Sequence, residues 1–143
     1  EALRLAGVTS ELSTNVRRAL WEKYVFLVGL SATTASMRSP LGPIRSNPQA
    51  RAFLLQLMRE VIAVGRAQGV DLAEDFAENR LEFADSLPDD MDSSMHHDLQ
   101  NNRPIEVNWL SGGVVKLGKE KGVPTPANSA VCDILALHAA RGS

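Results

Sequence analysis

Three residues of this chain carry groups that could bind a small anion and hand it a proton. Ser94 lies in the run Ser93-Ser94-Met95-His96-His97-Asp98-Leu99, and twelve residues later Glu106 lies in Arg103-Pro104-Ile105-Glu106-Val107-Asn108. Upstream, Lys23 interrupts the apolar run Trp21-Glu22-Lys23-Tyr24-Val25-Phe26-Leu27-Val28. An ammonium in apolar surroundings, a hydroxyl and a carboxylate together describe an anion-binding, proton-donating pocket. The hydroxyl and the carboxylate read as sitting on two consecutive helical segments.

Each residue also has a plainer reading. A lone lysine in an apolar helix is ordinarily solvated or snorkels to the surface. Ser93 or Ser94 would serve as the N-cap of the segment carrying Met95 and Leu99, a role that can coexist with ligand binding. Glu106 would be a first-turn acid favourable to the helix dipole. Adjacent helical positions such as His96 and His97 point about 100° apart, and no Cys or Glu is spaced to complete a metal site, so no metal is expected. Asp98 and Arg103 can form an ion pair of little energetic weight. Cys132, Trp21 and Phe53 read as packing residues.

The elements that must hold these groups are helical almost throughout. From Leu20 to Leu30 the chain is apolar on nearly every side apart from Glu22 and Lys23, the pattern of a central helix packed all round. Ser39-Pro40-Leu41-Gly42-Pro43 breaks it, and Asn47-Pro48 offers an N-cap followed by proline at the first helical position. Ala50, Phe53, Leu54, Leu57, Val61 and Val64 then keep an i, i+3, i+4 rhythm until Gly69. A helix is expected from Ala73 to Ser86, with Leu87-Pro88-Asp89-Asp90 as a short loop over the pocket. Another is expected through Val107, Leu110, Val114, Val115 and Leu117, closed by Gly122. Within it Ser111, Gly112 and Gly113 would let a neighbouring helix approach closely. The last, from about Ala127, would place Val131, Ile134, Leu135 and His138 on one side. No strand, repeat or low-complexity segment stands out, so the fold expected is an all-α, multi-helix bundle.

Composition narrows the function. A chain of 143 residues that is 44% hydrophobic and 22% charged can bury one sizeable core. Its net charge of −2 gives no general attraction to phosphate backbones or anionic lipid, which argues against nucleic-acid and membrane partners. The longest nearly uncharged run, Tyr24 to Met37, is too short and too rich in Ser and Thr to span a bilayer, and the N-terminus does not read as a signal peptide. The single Cys132 leaves no internal disulfide and suits a reducing compartment, so a cytoplasmic protein is expected.

The joint pattern Leu20-Trp21-Glu22-Lys23, Thr34-Ala35, Ser93-Ser94-Met95, Asp98-Leu99, Arg103, Glu106, Gly113 and Gly122-Val123-Pro124-Thr125-Pro126-Ala127-Asn128 resembles the C-terminal domain of the 2-dehydropantoate 2-reductase (ketopantoate reductase) family. The match runs from about Leu20 to Val131, and its pieces are specific together where each alone is weak. The resemblance implies a multi-helix bundle like the C-terminal domains of 6-phosphogluconate dehydrogenase and ketopantoate reductase. In that family an N-terminal Rossmann domain binds NADPH and the helical domain supplies a lysine and much of the 2-oxo-acid pocket. This chain has no Gly-x-Gly-x-x-Gly of its own. The region Leu3 to Val8 resembles the family's link out of the nucleotide domain. Residues 1–14 are therefore expected to be the remnant of an interdomain link and residues 15–143 the helical substrate-binding and catalytic domain of a longer enzyme, inactive by itself.

What the resemblance implies for the site is specific. Lys23 would be the general acid, its pKa lowered from about 10.4 by burial among Trp21, Val25, Phe26 and Leu27 and raised again by a nearby carboxylate. That carboxylate would be Glu106, which would also accept a hydrogen bond from the substrate hydroxyl, and Ser94 would bind the substrate carboxylate. One and two turns after the lysine, where the family typically carries asparagines that orient it and touch substrate, this chain has Leu27 and Ser31, leaving Ser31 as the polar contact. Met91 stands where another asparagine is common. Fewer polar partners imply a different, more apolar 2-oxo acid. The implied activity is NADPH-dependent reduction of ketopantoate to pantoate in pantothenate biosynthesis, with a paralogous reductase of another carbonyl compound as one alternative. A helical dimerisation module without catalysis is the other. Apolar surface left by an absent partner domain makes a homodimer plausible.

Overall fold

The computed structural model describes the backbone of residues 2–140 and the side chains of residues 14–140. The central element is α1 (Ala2–Met37), a helix of 36 residues that ends where Arg38 takes a left-handed φ of 52° and Pro40 follows. Most of the stretch expected to be the interdomain link thus forms the first turns of α1, with Glu1 outside the described residues. After α2 (Leu41–Ser46), α3 (Pro48–Ala67) starts as its sequence demands: Asn47 Oδ1 accepts hydrogen bonds from the backbone N–H of Gln49 at 2.9 Å and Ala50 at 3.0 Å, and Pro48 occupies the first turn. It ends before Gly69, whose φ is 87°.

Val70 and Leu72 are both buried, which keeps the connection out of helical geometry, so α4 (Phe76–Asp85) begins three residues later than the Ala73 expected. α5 (Ser94–Gln100) follows, then α6 (Ser111–Lys121), closed by Gly122 in the left-handed conformation at φ 69°. α7 (Pro126–Leu135) runs into a 3-10 turn, Ala136–His138. The one β-type pairing among the described residues is an isolated bridge: the Ile105 N–H donates to the His138 carbonyl at 3.0 Å, and Ala140 N–H to the Ile105 carbonyl at 2.9 Å. No helix among the described residues is long and apolar enough to cross a membrane.

Two apolar clusters form against α1 and α3. One joins Val25 and Val28 of α1 to Leu54, Met58, Val61 and Val64 of α3 and to Ala77 and Leu81 of α4. The other joins Ala32 and Ala35 to Leu57, to Met95 and Leu99 of α5, and to Val131 and Leu135 of α7. Each fully buried Val or Leu contributes about 1.5–3 kcal/mol of transfer free energy, so these contacts outweigh local propensity in setting where helices lie. α7 is fastened as well by a buried acid: Glu60 on α3 accepts from the N–H groups of Ala127 at 2.9 Å and Asn128 at 3.0 Å, at the first turn of α7.

Several expectations change once the chain is folded. The helix around Leu20–Leu30 is not packed all round, for Leu20 is 62% and Leu27 41% exposed. The Leu87–Asp90 loop docks on α2, with the Leu41 N–H donating to the Met91 carbonyl at 2.8 Å, Gly42 N–H to the Asp89 carbonyl at 2.9 Å, and Arg45 paired with Asp89. Ile134, within α7, faces outward while Val131 and Leu135 face in, and His138 is exposed beyond α7, in the 3-10 turn that begins at Ala136. Glu106 lies ahead of α6 rather than in its first turn, because the chain turns through 107–110 with the Glu106 carbonyl accepting from Trp109 and Leu110.

Candidate active site

Two hydrogen-bonded ties hold the segments bearing Ser94 and Glu106 to the helix that bears Lys23. The first is made by Tyr24, whose hydroxyl donates to the Leu110 carbonyl at 2.7 Å and to the Trp109 carbonyl at 3.1 Å. The approach is possible because position 113 is glycine, where a Cβ would stand 2.8 Å from the tyrosine oxygen. The close approach expected of Ser111-Gly112-Gly113 is therefore used, by a single side chain of α1. Burial, and then the negative charge of the nearby Cys132 thiolate, push the Tyr24 phenol up to about 12, which keeps it a hydrogen-bond donor across the physiological range.

The second tie is at the start of α5. Ser93, the N-cap, accepts from the His96 N–H at 3.1 Å, and its hydroxyl lies 2.6 Å from the Thr34 hydroxyl of α1. Asp92 Oδ1 receives the Ser93 N–H at 2.8 Å and faces His96 Nδ1 at 2.8 Å. Capping thus falls to Ser93, which leaves Ser94 exposed at the first helical position with its hydroxyl outside the capping network. Ser93→Ala is expected to cost about 1–2 kcal/mol, since it removes both the cap and the Thr34 contact. A urea titration would measure it, and an unchanged midpoint would show that the cap is dispensable.

Thr34 lies ten residues beyond Tyr24, about 15 Å along α1. Lys23 is therefore at the Glu106 end of the pair of ties, and Ser94 lies about three turns further on. Glu106 is exposed, and among the described residues no ion pair joins it to Lys23. Lys23 is exposed as well, so the burial expected around it is absent. Ser31 is buried, at 1% exposure, while Leu27 between it and the lysine faces out. The groove that Lys23 lines has a volume of about 480 Å³ and is shared with Glu22, Phe26, Phe76 and Arg80, not with Ser94 or Glu106. Apolar side chains also stand in the open: Val16 and Leu20 on α1, and Trp109, which is 64% exposed.

Sequence alone did not single out Tyr24 and Asp92, which hold the segments that carry the candidate residues. Tyr24 was visible only as the neighbour of Lys23, and Asp92 only as an acid four residues before His96. Among the described residues no group of three His, Cys, Asp or Glu side chains could hold a metal ion. The described residues also contain no strand leading through a glycine-rich turn into a helix.

Comparison with known proteins agrees with this architecture. The 2-dehydropantoate 2-reductase of Pyrobaculum aerophilum is 30% identical over 135 residues, covering 94% of this chain and 48% of that protein. The chain spans about half the length of the curated relatives it matches. A dimeric ketopantoate reductase from Staphylococcus aureus superposes with a TM-score of 0.81 at 24% identity, over 86% of this chain and 43% of that one. A D-mandelate dehydrogenase solved in a ternary complex with NADH and anilino(oxo)acetate superposes with a TM-score of 0.78 at 17% identity, over 96% and 60%. Residues 15–139 match the model for the ketopantoate reductase (PanE/ApbA) C-terminal domain, and the chain belongs to that family.

Proposed function

We propose that this domain is the substrate-binding and proton-donating half of an oxidoreductase that reduces a 2-oxo acid to the 2-hydroxy acid, with ketopantoate the nearest named substrate. Supporting this most directly, the segments carrying Ser94 and Glu106 are both bonded to the helix that carries Lys23. The hydride comes from a reduced nicotinamide nucleotide, NADPH by family, held outside these residues. As the carbonyl carbon accepts it, the C=O π pair becomes charge on oxygen. The Lys23 ammonium stabilises that charge and gives up the proton that completes the alcohol, and solvent reprotonates the amine. Ser94 donates to the substrate carboxylate, and Glu106 accepts from the new hydroxyl.

The exposed stripe of Val16, Leu20, Leu27 and Trp109 suits a partner that closes over Lys23 and removes water. We assign that partner as residues 15–143's own nucleotide-binding domain, joined through 1–14, and a homodimer is consistent with the dimeric Staphylococcus aureus enzyme. A reducing cytoplasm suits Cys132, whose half-buried thiol is held above its ordinary range by burial and by Asp133.

The test is NADPH oxidation by the domain joined to its nucleotide-binding half, over a panel of 2-oxo acids. Glu106→Ala should raise KM about tenfold or more with a smaller change in kcat, the effect of losing a hydrogen bond to a charged group. An unchanged KM for every active substrate would remove Glu106 from the site, and a panel with no active member would remove the reductase reading.

A further inference from the structure

We propose that the groove lined by Glu22, Lys23, Phe26, Phe76 and Arg80 receives the side chain of an aryl-substituted 2-oxo acid; this rests on the reductase reading and narrows its substrate class. Successive residues on a helix step by about 100°, so Phe26 lies about 60° to one side of Lys23 and Tyr24 about 100° to the other. Tyr24 anchors the segment of Glu106. A ketone carbon opposite Lys23 has two substituents; Thr34, which ties the start of α5 to α1, lies about 20° from Lys23 on the same helical wheel, so a carboxylate directed along α1 toward Ser94 leaves the other substituent to enter the groove on the flank of Phe26.

That flank is aromatic and cationic. The Arg80 guanidinium carbon lies 5.1 Å from the Phe76 ring centroid and 4.7 Å from that of Phe83, and Phe26 meets Phe83 edge to face at 5.3 Å. Arg80 Nε and Nη2 both donate to Asn79 Oδ1, which holds the guanidinium plane in place over the rings. Neither Lys23 nor Arg80 has a carboxylate partner among the ion pairs of the described residues, and Glu22 is the only acid lining the groove. Two cations against one acid leave a single positive charge, which complements a monoanionic 2-oxo acid. A flat ring between Phe26 and Phe76 gains offset or edge contacts and a cation–π contact with Arg80, none of which a short aliphatic chain obtains. Leu27, exposed one turn beyond Lys23, adds apolar surface and no hydrogen-bonding group.

The experiment titrates phenylpyruvate and pyruvate into this chain, followed by NMR, and measures both as substrates once the nucleotide-binding half is joined. Phenylpyruvate should shift the Phe26, Phe76 and Arg80 resonances and bind about tenfold or more tighter than pyruvate. Phe76→Leu and Arg80→Gln should each lower the phenylpyruvate-to-pyruvate ratio of kcat/KM by about tenfold. Should Phe76→Leu fold poorly, Arg80→Gln on the half-exposed rim decides. Equal affinity for the two acids, shifts confined to other residues, or an unchanged ratio in Arg80→Gln would overturn the inference even with pyruvate reduced. Phenylpyruvate held in the groove with no 2-oxo acid turned over would instead overturn the reductase reading on which it rests.

Discussion

Replacing Lys23 by alanine should lower kcat for any 2-oxo acid by about 100-fold or more, with a far smaller change in KM, once the domain is joined to its nucleotide-binding half. General acid catalysis is worth about 10²–10⁴-fold, and the loss falls on kcat because charge on the carbonyl oxygen develops only in the transition state. The fold should tolerate the change, since the side chain is exposed and forms no ion pair among the described residues. An unchanged melting temperature therefore separates catalytic from structural loss. Lys23→Arg discriminates further: arginine keeps the charge but does not release a proton near neutral pH, so it should recover binding and little of the rate. Turnover of Lys23→Ala within a few-fold of the parent would show that the proton comes from elsewhere.

The largest effect on stability is expected at Glu60. Its carboxylate, on a residue 4% exposed, accepts four hydrogen bonds: from the backbone of Ala127 and Asn128, from Asn128 Nδ2 at 2.9 Å and from Gln56 Nε2 at 3.0 Å. Two of the donors are first-turn N–H groups of α7, which no intrahelical carbonyl can satisfy, and a negative charge there also complements the helix dipole. Glu60→Ala strands these donors in the interior and leaves a void, so a loss of about 3–5 kcal/mol is expected by chemical denaturation. Glu60→Gln keeps the shape but turns one acceptor into a donor facing donors, and should fall between alanine and the parent. Amide exchange should locate the damage in α7. A loss below about 1 kcal/mol for Glu60→Ala would mean that Thr125 and solvent suffice to start that helix.

How far the sequence reaches can be judged residue by residue. Asn47-Pro48 and Gly69 bracket α3 correctly because a cap, a proline and a left-handed glycine act within four residues of themselves. The same locality explains Ser93 as a cap and Gly122 as a stop. Glu60 shows the opposite case: along the chain it reads as an unremarkable acid on α3, and its partners are 67 and 68 residues away. Val70 and Leu72 delay α4 because their side chains are claimed by the core, an effect no local propensity contains.

For the candidate site, residue types and order were legible and the environment was not. The sequence by itself determined the helical class and the positions of the caps and breaks, since these follow from short-range hydrogen bonding and periodicity, and it supplied the lysine, hydroxyl and carboxylate of the proposed chemistry. Only the tertiary structure decided that Lys23 is exposed beside an aromatic groove, that Ser31 is buried, that Glu106 lies ahead of its helix, and that Tyr24 and Thr34 tie the separate segments to α1. Burial and long-range hydrogen bonds depend on which surfaces meet, and that is settled by packing the whole chain at once.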